Sequence, residues 1–230
     1  KFNILILAVL FNLIVGVIQS GKTPPALPRN CIREDPVFIG FDLLSNEDFT
    51  NFVNAVIDEA SFVKLSNAID AANKSEDAEV IIGGHYDMSA GYFIQPTIIQ
   101  AFKPDYITMR EELFGPILTV YVYDPEKVDE TLDILDKSSA YALTGAIFSK
   151  NRANIEEMTE RLTHTAGNFY INDKPTGAVV DQQPFGGGRA SGTNDKAGTI
   201  FNLLRWVSPQ AIKETFVPVT NYMYPNFLEE

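Results

Sequence analysis

The sequence predicts an α/β fold in which parallel strands are joined by crossover helices. Three observations carry this. From residue 117 onward, short β-rich apolar runs alternate with segments whose apolar residues recur every three or four positions. The resulting order is strand, helix, strand, helix, strand, the pattern of parallel strands whose connections pass over the sheet as helices. Hydrophobic residues make up 45% of the 230-residue chain, enough to build a buried core.

Taken in order, the chain opens on KFNILILAVLFNLIVGVIQSG, one lysine followed by an apolar run from Phe2 to Ile18 broken only by Asn3, Asn12 and Gly16. This is the layout of a secretory signal peptide, with cleavage expected after Ser20. A membrane anchor and a misplaced chain start are the competing readings. The run is short for a span, which needs about 20 apolar residues, and the missing initiator Met favours an incomplete chain. Residues 21–46, with TPPALPRN at their centre, read as an extended linker of uncertain origin, because each proline fixes its own φ and disfavours helix in the residue before it.

The third region, residues 47–230, is patterned. Phe62, Leu65, Ile69 and Ala72 recur at steps of three, four and three, which predicts an amphipathic helix over 58–74. AEVIIGG and GYFIQPTIIQAF predict a hairpin whose turn spans 85–90, with Pro96 suited to an edge or a kink. PILTVYVYD predicts a strand from about Ile117 to Tyr123, and KVDETLDILDKSS a helix with Val128, Leu132 and Leu135 inward. LTGAIFSK then predicts a strand, NIEEMTERLTH a helix with Ile155, Met158 and Leu162 inward, and AGNFYIN a strand. The last segment, ending in VPVTNYMYPNF, is aromatic and broken by proline, suited to lying across a neighbour.

Composition excludes some partners. With 18 basic against 30 acidic residues the net charge is -12, so no basic surface is available for a phosphate backbone and nucleic acid is not expected. A single cysteine, Cys31, excludes an internal disulfide; with two histidines, His85 and His164, it cannot form a four-ligand zinc site, and no metal is expected. His85 reads as a turn residue and His164 as a helix-end residue.

The stretch QQPFGGGRASGTNDKAG, residues 182–198, carries too much glycine for helix or strand. Backbone N–H groups of such a turn can converge on an anion, with a hydroxyl from Ser191 or Thr193 adding a donor. Phosphate is disfavoured, since the loop lacks the lysine of a P-loop and places Ser where a dinucleotide fingerprint needs its last glycine. A carboxylate remains, with Arg189 or Lys196 supplying field from the rim; a turn without a ligand is the alternative. The loop follows the last strand of the alternating series, which predicts a position beyond the strands' carboxyl ends, where α/β folds place ligands.

EELFGP at 111–116, LTGAIFS at 143–149, AGNFYINDKPTGAVVDQQPFGGGRASGTNDKAG at 166–198 and LLRWVSPQAIKE at 203–214 together resemble the C-terminal part of the NAD-dependent aldehyde dehydrogenase superfamily, from about Glu47 to Tyr224. Within it the similarity points to the branch that oxidises L-glutamate gamma-semialdehyde to L-glutamate in proline degradation. The resemblance implies an aldehyde dehydrogenase-like catalytic subdomain, a β-ribbon or oligomerisation tail, and a nucleotide-binding part largely missing. It implies NAD as cofactor, held by Glu112 on the nicotinamide ribose hydroxyls with Phe114 beside the nicotinamide, while Glu111 is a surface residue. It further implies that Ser191, with the backbone of Gly188, Ala190 and Gly192, grips the substrate's α-carboxylate, and that Phe185 lines the aldehyde channel.

The family's chemistry needs a cysteine thiolate to attack the aldehyde, hydride transfer to NAD, and a carboxylate that activates water against the thioester. Those groups precede the portion that matches, and Cys31 in PRNCIRED lacks the family's surrounding motif. The chain is therefore expected to be inactive alone, with no catalytic residue of its own; a truncated relative acting as a binding or interaction module is the alternative. The resemblance also implies a homo-oligomer and the mitochondrial matrix, whereas the apolar start suggests the secretory pathway, and a membrane only if that segment is retained.

Overall fold

The computed structural model describes residues 4–8, 14–19, 53–173, 178–179 and 181–227. Cys31 and the linker expected at 21–46 lie outside these. A seven-stranded sheet organises the molecule, in the order β10-β9-β1-β2-β7-β6-β3. Its members are β1 (Ile4–Ala8), β2 (Ile14–Gln19), β3 (Ala78–Ile82), β6 (Thr97–Ala101), β7 (Ile117–Tyr123), β9 (Thr144–Phe148) and β10 (Asn168–Ile171). β2, β6, β7, β9 and β10 run one way, and β1 and β3 run against them. Small ladders join β4 (Tyr86–Asp87) to β5 (Phe93–Ile94), and β8 (Tyr141–Ala142) to β11 (Gly188–Arg189).

The mixed α/β architecture read from the sequence is the one observed. Helix α1 (Glu59–Lys74) is capped by Asp58, whose carboxylate accepts from the Ser61 N–H at 2.7 Å, and it buries Phe62, Leu65, Ile69 and Ala72, the four residues of the apolar spacing. Helix α2 (Ile107–Arg110) is a single turn ahead of β7, α3 (Val128–Ser138) crosses from β7 to β9, and α4 (Arg152–Arg161) crosses from β9 to β10. Asp124 caps the 3-10 turn before α3, and Asn151 caps α4. Helices α3 and α4 are tied at the surface, where Arg161 reaches the Asp133 carboxylate at 2.7 Å and also meets Asp129.

Two buried clusters form the core. One joins Phe62, Leu65 and Ile69 of α1 to Ala78, Ile94, Ile99, Leu113 and Ile117. The other joins Leu132 and Leu135 of α3 and Ile155 and Met158 of α4 to Ala101, Met109, Tyr123, Ile147 and Leu162. Ile99 and Ala101 are two residues apart on β6, so the helices of both clusters cover one face of the sheet. β6 is buried at all five positions, as a parallel strand inside a sheet requires. The hairpin expected over 78–102 is present as β3 against β6, but residues 85–90 are not its turn: β4 lies among them and pairs with β5 inside a longer connection; Pro96 stands just before β6, where it removes no ladder bond.

Within the apolar run expected to be signal-like, the described residues form β1 and β2, which stand between β9 and β7. A further expectation differs from what is observed. The glycine loop that follows β10 in sequence is not at the carboxyl edge: Gly188 and Arg189 pair with Ala142 and Tyr141, just ahead of β9. The glycine loop therefore lies at the amino edge of the parallel strands. The tail from Ile200 onward is exposed almost throughout, with Trp206 at 81% and Tyr222 at 92%, and forms no strand among its described residues.

Candidate functional site

The EELFGP segment bridges α2 and β7. Glu111 closes α2, its N–H donating to the Ile107 carbonyl at 2.9 Å, and its side chain lines an open cavity with Arg110, Asp133 and Lys137. Glu112 is placed differently. It is half-buried beside α1, its backbone carbonyl accepts from Lys64 Nζ, and its carboxylate Oε1 is enclosed without a hydrogen-bond donor. Burial raises its pKa above the ordinary carboxylate value, and the nearby Lys64 charge opposes that rise without cancelling it. An enclosed carboxylate oxygen lacking a donor is expensive, and it is the group that incoming hydroxyls would satisfy.

The next residues alternate. Leu113 points into the α1 core at 6% exposure, while Phe114 takes φ +61°, a left-handed conformation costly for a bulky residue, and leaves its ring 51% exposed. The backbone presents an aromatic face outward beside the unpartnered carboxylate. Gly115 allows this turn to pass under α1, since a Cβ there would fall 2.3 Å from the Leu65 methyls. The Pro116 carbonyl then accepts from the Thr97 N–H at 2.9 Å and registers β7 against β6.

The glycine loop is packed tightly on its inner side. A Cβ on Gly187 would lie 2.7 Å from the Leu143 Cα and 2.8 Å from the Ala142 carbonyl, so only glycine allows the loop to approach the β8–β9 backbone. On Gly188, by contrast, a Cβ would meet nothing within 4 Å, which leaves the outer side open to a ligand. Asn168 grips the loop's entry with both amide atoms: Nδ2 donates to the Pro184 carbonyl at 2.8 Å and Oδ1 accepts from the Gly186 N–H at 3.1 Å. Phe185, half-buried, pairs with Ala197 through two backbone bonds and closes the loop's neck.

Much of the polar capacity expected to face a ligand is already engaged. The Ala190 N–H donates to the Ala140 carbonyl at 3.0 Å, and the Gly192 N–H to that of Arg189 at 3.5 Å. Ser191 Oγ accepts from the Ala142 N–H at 2.9 Å, so the group it retains for an anion is its own O–H. Arg189 and Lys196, expected to supply field from the rim, are both engaged within the fold. Arg189, at φ +51°, binds the Asp136 carbonyl at 2.6 Å and its carboxylate, latching the loop to α3. Lys196 Nζ donates to the carbonyls of Gly186, at 3.0 Å, and Gly167, and burial lowers its pKa. The Asn168 clamp, the Lys196 brace and the Lys64 contact gave no signal in the sequence, because each depends on distant segments meeting.

Both candidate groups lie at one edge of the sheet: Glu112 and Phe114 immediately before β7, and the glycine loop beside the starts of β9 and β10. An enclosed acceptor, an exposed ring and an open glycine face thus stand at the same edge. The chain belongs to the aldehyde dehydrogenase family, whose pattern it matches over residues 43–212. It is 57% identical over 184 residues to "Delta-1-pyrroline-5-carboxylate dehydrogenase, mitochondrial" of Dictyostelium discoideum, covering 80% of this chain and 33% of that one. To the protein of the same name in Homo sapiens it is 49% identical over 178 residues, covering 77% and 32%. The structure superposes with a TM-score of 0.65 on the Delta-pyrroline-5-carboxylate dehydrogenase of Mycobacterium tuberculosis bound with NAD, at 48% identity, covering 77% of this chain and 32% of that one. The chain thus spans about a third of the length of the curated relatives it matches.

Proposed function

We propose that this chain forms the part of a glutamate-semialdehyde dehydrogenase that orients NAD and receives the acid end of the substrate. The observation that carries the reading is the enclosed, unpartnered Oε1 of Glu112 beside the outward ring of Phe114. An ionised carboxylate accepts from two adjacent sugar hydroxyls, and an exposed aromatic face suits a flat heteroaromatic ring. NAD, when bound, accepts a hydride from the substrate. Glu112 holds the ribose, Phe114 limits the tilt of the nicotinamide, and Phe185 lines the approach of the aldehyde.

At the other end of the substrate, the Ser191 O–H and the open face of Gly188 receive the α-carboxylate, with the neighbouring backbone of Ala190 and Gly192 held rigid by internal bonds. A rigid loop loses little entropy on binding. The substrate class is L-glutamate gamma-semialdehyde and the product L-glutamate, as the relatives' names support. The relatives named mitochondrial support the matrix as the address of the intact enzyme, and nothing in the structure or the relatives supports the secretory pathway. The exposed apolar tail fits a homo-oligomer, in which a neighbouring subunit would cover it.

The nucleophile and general base have no counterpart in residues 47–230, so the chain alone is proposed to turn over no substrate. Titration of NAD, followed by saturation-transfer NMR on the nicotinamide protons, tests the cofactor role. Weak binding, with Kd on the order of millimolar, that disappears in Glu112→Gln supports the reading; signal unchanged by that substitution contradicts it. A non-catalytic binding module is the second reading, favoured by a sheet that β1 and β2 complete within this chain. Glutamate binding without any NAD response would select it.

A further inference from the structure

We propose that the hairpin β1–β2 substitutes, within this chain, for strands that longer family members draw from elsewhere, and that it thereby holds the two halves of the candidate site in one sheet. The strand order places β1 and β2 between β9 and β7. β7 follows directly on Glu112 and Phe114, whereas β9 and β10 carry the glycine loop through Ala142, Gly167 and Asn168. Within the sheet, no described strand other than those of the hairpin connects the two halves.

The pairing is extensive. β2 runs parallel to β7 from Ile14↔Leu118 to Gln19↔Tyr123, and β1 runs antiparallel to β9 from Ile4↔Phe148 to Ile6↔Ala146. Without the hairpin, the facing edges of β7 and β9 would carry a row of unpaired N–H and C=O groups in the middle of the sheet. ILILA and IVGVIQ are almost continuously apolar, the composition of strands covered on both faces.

The matched region supplies the independent argument. Family similarity spans residues 43–212 and so includes β7 and β9 but excludes both hairpin strands. Relatives about three times as long share β7 and β9 and must fill the space between them from the two-thirds of their length that this chain does not match. The hairpin that fills the slot here lies outside the region that matches the family. Strand addition of this kind recognises backbone first and side chains second, so an unrelated apolar hairpin can serve.

Cysteine cross-linking in the full chain tests the register, in a Cys31→Ser background. Leu5→Cys with Ile147→Cys places the two thiols directly opposite, and Ile6→Cys with Ile147→Cys places them on opposite faces. Oxidation is expected to link most molecules of the first pair and few of the second; equal linking of both, or of neither, overturns the proposal. Hydrogen exchange supplies a readout that needs no cross-link. In the intact chain, amides of 118–123 should exchange slowly, and Val17→Pro should speed them tenfold or more while 97–101 keep their protection on the β3 side. Unchanged exchange at 118–123 in Val17→Pro also overturns it.

Discussion

Leu65 sits directly over Gly115, so that a Cβ on the glycine would lie 2.3 Å from both leucine methyls. Leu65 is fully buried and cannot swing away. The core residue of α1 thus dictates how the EELFGP turn passes beneath it, and with it where Glu112 and Phe114 stand. Gly115→Ala should destabilise the chain by about 1–3 kcal/mol, the usual cost of overpacking. Leu65→Ala in the same chain should recover part of that loss; thermal unfolding of the four-member cycle measures the coupling.

Glu112 is expected to trade stability for binding. Its folded pKa is raised by burial, so between the ordinary carboxylate range and the raised value the folded chain holds the proton more tightly than the unfolded one. Stability therefore falls as pH rises through that window, and the full penalty is present at neutral pH. Glu112→Gln should unfold at a higher temperature at pH 7, by no more than ~1 kcal/mol after allowance for its partial exposure, and the advantage should vanish at acid pH. The same variant should lose its response to NAD.

Arg189 combines a latch with a strained backbone. Arg189→Ala removes the contacts to Asp136 and retains φ +51°, whereas Arg189→Gly removes the contacts and relieves the conformation. Both should be less stable than the parent chain, and the glycine variant should exceed the alanine variant by about 1 kcal/mol. Denaturant melts compare the three.

Ser191 separates a scaffold role from a ligand role. Ser191→Ala deprives the N–H of buried Ala142 of its acceptor and should cost about 1–2 kcal/mol. Ser191→Cys keeps a weak acceptor and should recover some stability. If the O–H also binds carboxylate, both variants should weaken glutamate binding, measured by NMR titration at a temperature where each is folded.

The exposed tail should drive self-association. Phe216 and Val217 are 86% and 79% exposed, so Phe216→Glu with Val217→Glu should leave the folded core intact and shift the chain toward monomer in sedimentation velocity.

The helices were legible because their signal is local. The spacing of Phe62, Leu65, Ile69 and Ala72 specifies one face of α1 whatever lies beneath it, and the same holds for α3 and α4. β7 was legible to the residue, since its apolar run is bounded by Gly-Pro on one side and Asp-Pro on the other. The position of the glycine loop was not. A strand followed by a loop is expected to end at its carboxyl edge, but the pairing of Gly188 with Ala142 and the bond from the Gly186 N–H to Asn168 are contacts between segments far apart in sequence. The apolar run of residues 2–18 shows the limit of composition alone, because such a run describes a leader and a central strand equally well. Glu112 was found from its motif, yet its orphaned oxygen became visible only once α1 was in place.

The most direct measurement places residues 47–224 of this chain in the D. discoideum relative, replacing the corresponding third, and follows NADH formation from glutamate semialdehyde. The account expects turnover by the folded chimera, none by the 230-residue chain alone, and a raised KM for NAD when Glu112→Gln is introduced. A folded chimera that binds neither NAD nor glutamate semialdehyde would contradict it.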